Sequence, residues 1–251
     1  MPMAQNRPHV LITAGNTREA IDSVRWWSNI FTGQTGLDIA RAMTSIADVT
    51  LLTSNADHLR QIQADVSSGI TAAWFESHAD LMRLIPVYLA KHCFDAVFMT
   101  AAVSDYAPDG AYTMIIRESA AEPGREVWVV EKVQQPKISS AHDAIAIAGK
   151  PTVKIIDQFR KVWKYRGLLF KFKLEVGLDQ AALIAVAKRS REHSKADVIV
   201  ANTLDMVHGP EAAALIIDNH TVVKVPRVKL AQALCDELTA RLAGGAAHPE
   251  T

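Results

Sequence analysis

Short apolar runs alternate with amphipathic stretches along most of the chain. The strand-like runs cover residues 10–12, 49–53, 71–75, 94–100, 168–174 and 197–201. Between them, apolar residues recur at helical spacing, as at Leu37, Ala40 and Met43. Continuous apolar strands are typical of a parallel sheet that is covered on both faces. We therefore predict an α/β protein with a doubly wound, mostly parallel Rossmann-like sheet.

The alternation is interrupted between residues 107 and 135. The segments Tyr112–Ile116 and Val127–Val130 are rich in β-forming residues, and the sequence between them contains Pro-Gly, which favours a turn. These features predict a protruding two-stranded β-hairpin arm over residues 107–135. Because an isolated hairpin is marginally stable in water, we expect the arm to pack on something, with a second subunit as the candidate.

The remaining sequence is typical of one folded unit. We predict a single nucleotide-binding domain over residues 9–243, which includes the arm as a possible dimer contact. The polar start at residues 1–8 is predicted to be flexible, and the tail at residues 244–251 is predicted to be disordered.

Composition and charge exclude several classes of protein. The 27 basic and 27 acidic side chains cancel, so bulk charge gives no reason to expect a nucleic-acid partner. Apolar runs stay well short of the roughly 20 residues of a membrane span, and the N-terminus lacks the apolar segment of a secretory signal. We therefore expect a cytoplasmic protein. Cys93 and Cys235 lie in apolar segments, which predicts core thiols rather than a disulfide.

Residues 10–36 carry the strongest functional signal. An apolar strand ends at Gly15, and the turn Thr32-Gly33-x-x-Gly36 opens an amphipathic helix. The free N–H groups and the dipole at a helix start attract anions, so this arrangement predicts a phosphate site between the first strand and the first helix. Gly33 comes eighteen positions after Gly15, whereas a dinucleotide fingerprint places its glycines within about six residues.

The long loop between these glycines is unusually polar. It contains Arg18, Asp22, Arg25 and Asn29, which is more polar groups than a plain connection needs. Long loops in compact domains are often functional, and a surface loop with incidental charges is the alternative interpretation.

Small or polar residues also follow other predicted strands, at Ala101–Tyr106, Phe172–Glu175 and Ala201–Thr203. Ligands of open α/β sheets bind beyond the carboxyl ends of the strands, so these ends and the first loop are predicted to form one crevice. Asp105 is a candidate to accept hydrogen bonds or approach a metal there, with a turn cap as the alternative. Lys137 is a candidate phosphate contact, with a solvated lysine as the alternative.

The histidines give no sign of a metal centre. None of the nine has metal-ligand spacing. His58, His78 and His92 lie in or beside stretches predicted to be exposed helix, and we interpret them as surface residues. The sequence therefore defines no set of metal ligands.

Several of these motifs form a specific, ordered set. Its distinctive members are Ile12–Glu19, Asp22–Arg25, Ser28-Asn29, the Thr-Gly-x-x-Gly turn and Ala101–Tyr106. Shorter members follow in order at Lys137–Ser140, Phe172–Glu175 and Val200–Asn202. The set spans residues 9 to about 205, and it resembles the phosphopantothenoylcysteine synthetase family, also called phosphopantothenate–cysteine ligase.

The resemblance implies a ligase that acts in coenzyme A synthesis. Members of the family activate the carboxylate of 4′-phosphopantothenate with a nucleoside triphosphate, CTP or ATP, and Mg²⁺. An acyl-nucleotide (acyl-CMP or acyl-AMP) forms, and pyrophosphate leaves. The amine of cysteine then attacks to make the amide. The family's dimer implies a homodimer here.

The resemblance also implies roles for individual residues. Asn29 would stabilise the intermediate, Lys137 would stabilise charge during nucleotidyl transfer, and Arg25 would reach the substrate phosphate from the neighbouring subunit. The residues implied to contact the substrate are Arg25, Asn29, Ala101, Ala102 and Asp105. Those implied to bind the nucleotide are Gly15, Thr32, Gly33, Gly36, Ala101, Ala102, Asp105, Phe172 and Asn202. In the turn, Gln34 stands where the family commonly has Lys or Arg.

Two other functions stay open at this stage. An NAD(P)-dependent Rossmann oxidoreductase predicts a compact glycine fingerprint and an acidic residue at the end of the second strand, where this chain has Thr53-Ser54-Asn55. A non-catalytic nucleotide-binding homologue is the second alternative, and the uncharged Gln34 in the turn favours it. Pyrophosphate release in the presence of phosphopantothenate and cysteine would separate the ligase from both.

Overall fold

The computed structural model describes residues 7–245. The predicted flexible start and disordered tail lie almost wholly outside these residues. The strands are β1 (His9–Ala14), β2 (Arg18–Ala20), β3 (Trp26–Ser28), β4 (Asp48–Thr53), β5 (Ile70–Trp74), β6 (Ala96–Met99), β7 (Tyr106–Ser119), β8 (Glu126–Lys132), β9 (Ile145–Pro151), β10 (Leu168–Glu175), β11 (Val198–Thr203), β12 (Ala213–Ile217) and β13 (Val222–Pro226). The helices are α1 (Gln34–Met43), α2 (Ala56–Ala64), α3 (His78–Lys91), α4 (Ile155–Lys161), α5 (Gln180–Ser194) and α6 (Leu230–Ala243).

The main sheet has eight strands in the order β13-β12-β11-β10-β6-β1-β4-β5. The strands from β11 to β5 run parallel, whereas β12 and β13 are antiparallel additions at one edge. Ile12 of β1 pairs with Leu51 of β4 on one side and with Phe98 of β6 on the other. The chain builds outward from β1 to β5 and then returns to add β6 on the other side of β1. The strand order therefore reverses between β1 and β6.

Helices cover both faces of this sheet, because alternate strand residues point to opposite sides. On one face, Val10 and Ile12 pack in a buried cluster with residues of α1 and α6. On the other face, Leu11 packs with residues of α3 and α4, and α5 covers β11 and β12. This arrangement confirms the predicted doubly wound, mostly parallel sheet.

The arm is present, but it contains three antiparallel strands rather than the predicted two. The central strand is β7, which pairs with β8 along Tyr112–Ser119 and with β9 along Tyr106–Thr113. The hairpin of β7 and β8 confirms the predicted element. The third strand was missed because β9 follows a long irregular segment and alternates Ile with small Ala residues. As a consequence, Lys137 lies on the connection between two strands of the arm.

The exposure of two side chains differs from the prediction. His58 is buried on α2, where its Nδ1 lies 3.1 Å from Thr53 Oγ1, and burial lowers the pKa of its imidazole. The apolar face of α2 is narrow, so the sequence around His58 looks like exposed helix. Cys93 is exposed just beyond α3, whereas Cys235 is buried on α6 as predicted.

Candidate active site at the strand ends

The four strand ends assigned to one crevice are neighbours in the sheet. Strands β1, β6, β10 and β11 occupy consecutive places and run parallel, so their carboxyl ends lie along one edge. A single bridge between Asn16 and Ala102 continues the pairing of β1 with β6 beyond the strands. This edge includes the point where the strand order reverses, which is where open α/β sheets bind their ligands.

The glycines at this edge let α1 begin directly on the end of β1. Gly15 and Gly33 have φ angles of +90° and +84°, which favour glycine over residues with a Cβ. A Cβ on Gly33 would overlap the main chain of Gly15, and a Cβ on Gly36 would lie 2.7 Å from that of Ala14. The carbonyl of Thr32 accepts a hydrogen bond from the side-chain amide of Asn55 at 3.0 Å. The close packing places the N-terminus of α1 at the switch point.

Asn29 is anchored to both sides of the switch point. Its side-chain amide donates to the main-chain carbonyl of Ala102 at 3.1 Å. In turn, the side-chain amide of Asn16 donates to the main-chain carbonyl of Asn29 at 2.6 Å and lies 3.2 Å from the hydroxyl of Ser28. Asn29 itself is exposed. The amide nitrogen of an asparagine carries two N–H groups, so one remains for a ligand.

The two alanines after β6 hold this edge to β1. The N–H of Ala101 donates to the hydroxyl of Thr13 at 3.1 Å, and the N–H of Ala102 donates to the carbonyl of Gly15 at 2.9 Å. The carbonyl of Ala102 also accepts from the N–H of Thr17 at 3.2 Å. The ends of β1 and β6 are therefore joined by main-chain hydrogen bonds at Ala102, whose carbonyl also accepts from Asn29.

Asp22 joins the first loop to the segment that carries Lys137. Its carboxylate accepts hydrogen bonds from the N–H groups of Val24 and Arg25, both at 2.8 Å, and from the N–H of Ile138 at 3.0 Å. It also forms an ion pair with the guanidinium of Arg25. Burial raises the pKa of the Asp22 carboxyl, but the hydrogen bonds from Ile138, Val24 and Arg25 outweigh it and lower the pKa to about 2. Lys137 is exposed next to Ile138.

Asp105 lies just after the end of β6. Its carboxylate is 63% exposed and forms an ion pair with Lys154. Its main-chain carbonyl accepts from the N–H of Thr152 at 2.9 Å, which joins this end of β6 to the end of β9. The carboxylate is therefore at the surface of the strand-end edge.

Phe172 and Asn202 lie further along the same edge, on β10 and β11. Phe172 pairs with Val200 and is partly buried against the cluster that includes α1 and α6. Asn202 pairs with Leu174, and its amide donates to the carbonyl of Thr203 at 3.3 Å. At the usual strand spacing, β10 and β11 are about 10 and 15 Å from β1, a span that an extended ligand would cross.

A cavity of about 480 Å³ lies between the first loop and the arm. Its walls include Asp22 of the loop, Lys132 of the arm, and Pro136 and Ile138 on either side of Lys137. This volume falls within the range of small-molecule sites in proteins. The loop and the Lys137 segment therefore border one ligand-sized space.

Two residues of this site, Ser54 and Arg227, were not predicted from the sequence. Ser54 holds the main chain of Asn16, since its hydroxyl accepts from the N–H at 2.9 Å and donates to the carbonyl at 2.6 Å. Ser54 could have been predicted as a site residue, because it is polar and directly follows β4, the strand next to β1. The guanidinium of Arg227 donates to the hydroxyl of Thr35 in the first turn of α1. These two residues are 192 positions apart, so no local pattern could pair them.

The described residues contain neither a cluster of metal ligands nor a membrane-spanning helix. Between residues 7 and 245, no three His, Cys, Asp or Glu side chains are grouped as metal ligands would be. Over the same residues, every helix is too short or too polar to cross a bilayer.

The fold and the position of the site define a class: a doubly wound α/β protein with a glycine-lined helix start at its switch point. Within that class, residues 5–124 match the family described as "DNA/pantothenate metabolism flavoprotein C-terminal domain". The resemblance to the phosphopantothenoylcysteine synthetase family is therefore confirmed.

Curated relatives carry the name "Coenzyme A biosynthesis bifunctional protein CoaBC". The protein of that name from Thermococcus kodakarensis is 29% identical over 241 residues, which are 94% of this chain and 52% of the relative. The one from Bacillus subtilis is 37% identical over 102 residues, which are 40% of this chain and 23% of the relative. The chain thus spans about half the length of the Thermococcus relative, or less of the other.

Solved structures share the fold. The DNA/pantothenate metabolism flavoprotein from Streptococcus pneumoniae has a TM-score of 0.72 at 22% identity, covering 93% of this chain and 99% of that one. A Cab2 mutant in complex with phosphopantothenate-cysteine has a TM-score of 0.65 at 13% identity, covering 94% of this chain and 89% of that one. At these identities the likeness establishes the architecture.

Proposed function

We propose that this chain is a phosphopantothenate–cysteine ligase, which joins 4′-phosphopantothenate to cysteine through an acyl-nucleotide intermediate. The observation that supports this most strongly is the position of Asn29. Its side-chain amide donates to Ala102 after β6, and its main-chain carbonyl accepts from Asn16 after β1. The names of the relatives, which refer to coenzyme A biosynthesis and to a complex with phosphopantothenate-cysteine, support the same substrates.

In the first step, a carboxylate oxygen of phosphopantothenate attacks the α-phosphorus of CTP or ATP. The bond from that phosphorus to the bridging oxygen breaks, and pyrophosphate leaves with the electron pair. The turn formed by Thr32, Gly33 and Gly36, together with Gly15, would receive the phosphates at the N-terminus of α1. Lys137 would neutralise the charge that develops on the phosphoryl oxygens.

Arg227 would supply positive charge to the phosphates. The family commonly has Lys or Arg in the turn, where this chain has Gln34. The guanidinium of Arg227 reaches the first turn of α1 from the far end of the chain, through the hydroxyl of Thr35. A helix dipole disfavours a cation at the helix N-terminus, so a bound anion would stabilise Arg227 there.

In the second step, the amine nitrogen of cysteine attacks the acyl carbon. The bond from that carbon to the phosphate oxygen breaks, the nucleoside monophosphate leaves, and the amine loses a proton as the amide forms. The N–H of Asn29 that does not bond to Ala102 would donate to the acyl carbonyl as it gains negative charge. Much of the rate would come from holding the amine next to the acyl carbon.

The substrate would span the edge of the sheet. Ala101 and Ala102 would line the acyl group, while Phe172 would pack on the base and Asn202 would bond to the nucleotide. These assignments are supported by the shared edge of β6, β10 and β11, and they follow the roles that the resemblance implies.

Mg²⁺ would be held mainly by the triphosphate, since proteins usually bind it through substrate phosphates and one or two carboxylates. Asp105 fits that need, because its carboxylate is exposed at the end of β6 and its partner is a surface lysine. The ion would neutralise charge on the phosphate oxygens.

We also propose that the protein acts as a cytoplasmic homodimer, in which Arg25 reaches the phosphate of the substrate in the partner's site. The apolar surface of the arm supports the dimer. Val127 and Val129 lie on one face of β8, with Ile116 of β7 directly opposite Val129, and the exposures of Ile116, Val127 and Val129 are 45%, 54% and 47%. Exposed apolar clusters of this kind commonly mark protein–protein contacts.

The test is a pyrophosphate-release assay with phosphopantothenate, cysteine, Mg²⁺ and either CTP or ATP. We expect release that requires phosphopantothenate and a nucleotide, and the preferred nucleotide identifies the co-substrate. Absence of pyrophosphate with both nucleotides would reject the ligase, and nucleotide binding without release would indicate the non-catalytic homologue instead.

A further inference from the structure

We propose that Asp22 is a positioning residue for nucleotidyl transfer. It holds the first loop (residues 16–32) and the Lys137 segment (residues 136–138) in a fixed position relative to each other. This inference rests on the proposed ligase function, because Lys137 has its role only there. Asp22 itself touches no reacting atom in this proposal. It acts through the main chain of the segment next to Lys137.

The two carboxylate oxygens of Asp22 accept hydrogen bonds from different parts of the chain. Oδ1 accepts from the N–H groups of Val24 and Arg25, both at 2.8 Å, and so shapes the turn of the loop itself. Oδ2 accepts from the N–H of Ile138 at 3.0 Å and from the guanidinium of Arg25. One oxygen therefore orders the loop, and the other attaches the Lys137 segment to it.

Other contacts show that the loop and this segment form a true junction. The N–H of Ser23 donates to the carbonyl of Pro136 at 2.9 Å, on the other side of Lys137. The guanidinium of Arg25 also lies 3.3 Å from the carbonyl of Ile138. The residues before and after Lys137 are thus both tied to the loop, while Lys137 is exposed between them.

The Asp22 side chain is only 3% exposed, so water has little access to it and losing these hydrogen bonds would cost free energy. The side chain of Ile138 is buried at 3% exposure, and the hydrogen bond from its N–H to Asp22 sets the direction of the main chain beside Lys137. Without the carboxylate, the Lys137 segment would keep its hydrogen bond to Ser23 but lose the bond at Ile138. A lysine that must meet developing charge on a phosphoryl group depends on such placement.

The substitution Asp22→Asn separates the two tasks. Asparagine can keep a carbonyl oxygen toward Val24 and Arg25, but its NH₂ group then faces the N–H of Ile138 and the Arg25 guanidinium, which are also donors. The turn at residues 22–25 would therefore be kept, while the hydrogen bond between residue 22 and Ile138 would be lost.

The chain offers a closely matched control in Asp218. Its carboxylate accepts from the N–H groups of His220 and Thr221, at 2.8 and 2.7 Å, and from the guanidinium of Arg241 at 2.6 Å. It shapes the turn between β12 and β13, which lies at the opposite end of the strands from the site because β12 runs antiparallel to β11. Asp218→Asn therefore makes the same chemical change to a similar turn outside the site.

The experiment measures pyrophosphate release by the full-length Asp22→Asn and Asp218→Asn variants, alone and combined with Lys137→Ala. We expect Asp22→Asn to lower kcat by roughly 10- to 100-fold and Asp218→Asn to leave it within about twofold. In the Lys137→Ala background, Asp22→Asn should have little further effect on kcat, because the group that it positions is gone.

Three outcomes contradict the positioning role. They are an unchanged kcat in Asp22→Asn, an equal loss in Asp218→Asn, and a full additional loss in the Lys137→Ala background. Urea unfolding of both aspartate variants identifies a loss of kcat that comes from lowered stability alone. A wild-type protein that releases no pyrophosphate would instead remove the proposed function, and the role of Asp22 with it.

Discussion

Contacts at the switch point orient the side-chain amide of Asn29. One N–H is occupied by Ala102, and the residue's carbonyl is held by Asn16. The side chain of Asn16 supplies this contact to the main chain of Asn29. The amide is thereby oriented before any substrate binds, which lowers the cost of using it in a transition state.

Asn29→Asp should slow cysteine addition more than it slows pyrophosphate release. A carboxylate cannot donate to the acyl carbonyl and repels the negative charge that develops on it. Rapid-quench measurement of pyrophosphate and of the amide product, in the same reaction, checks this. Asn219→Asp is the control, because Asn219 uses its oxygen to accept from Arg191 and a carboxylate keeps that bond. Equal loss of both steps in Asn29→Asp would remove Asn29 from its assigned role.

Lys171 predicts a pH dependence of stability. Burial lowers the pKa of its ammonium to about 8 from an ordinary 10.5, although Asp157 opposes the shift. Between these pH values the unfolded chain binds more protons than the folded one, so the free energy of unfolding gains a contribution that rises with pH. Below about pH 8 both states are charged, and the folded state bears the full cost of burying the charge.

The measurement compares urea unfolding of the wild type and Lys171→Met across this range. We expect the wild type to gain stability relative to the variant as the pH rises from about 8 to 10.5. A difference between the two proteins that stays flat over that range would show that Lys171 is not desolvated as described.

Among the elements, α1 depends most on its glycines, because it begins on the end of β1. Gly33→Ala should destabilise the protein in two ways. The positive φ costs about 1–2 kcal/mol for a residue with a Cβ, and the overlap with Gly15 adds about 1–3 kcal/mol of strain. Nucleotide affinity should fall as well, since the helix start moves.

Gly124 provides the control for this change. It lies between β7 and β8 with a φ of +79°, and a Cβ there would meet nothing within 4 Å. Gly124→Ala should therefore show only the cost of its φ, and urea unfolding should find it clearly less destabilised than Gly33→Ala. Equal losses in the two variants would mean that the helix start yields to make room for the Cβ.

The same elements show what a sequence can predict. The start of α1 was predicted from the turn Thr32-Gly33-x-x-Gly36, and the helix begins at Gln34, since a helix start is marked by residues close together in sequence. The strand β9 was missed because its apolar pattern is weak, and the burial of His58 on α2 was missed because the apolar face of that helix is narrow. The contacts of Asp22 with Ile138 and of Arg227 with Thr35 join distant segments, which only the folded chain brings together.

For the whole molecule, the strongest test concerns assembly through the arm. The double variant Val127→Lys/Val129→Lys should shift the protein from dimer to monomer, because two charges would have to be desolvated in the contact. Both valines are about half exposed, at 54% and 47%, so the arm itself should stay folded. Sedimentation equilibrium measures the mass, and circular dichroism checks the fold.

The matched control is Val66→Lys/Val228→Lys. These valines lie outside the arm and are 97% and 92% exposed, so the same charges placed there should leave the mass unchanged. A wild-type protein that sediments as a monomer, or an arm variant that still sediments as a dimer, would exclude this contact.

The overall architecture followed from the sequence because each buried strand is a local apolar run. The order of the strands did not, since it depends on which runs meet in three dimensions. The candidate site was predicted from the family resemblance of the first loop and of Ala101–Tyr106. The adjacency of β1, β6, β10 and β11 in the sheet gives a physical reason for those segments to act together.

The antiparallel strands at one border of the sheet carry a further consequence. The outermost of them, β13, has the exposed Lys224 and ends with Pro226, which has no N–H to offer an incoming strand. Such residues discourage open-ended joining of sheets from separate molecules. Edge-to-edge pairing at β13 into open-ended fibres is therefore disfavoured. Association between copies of the chain should use other surfaces, which can form a closed oligomer.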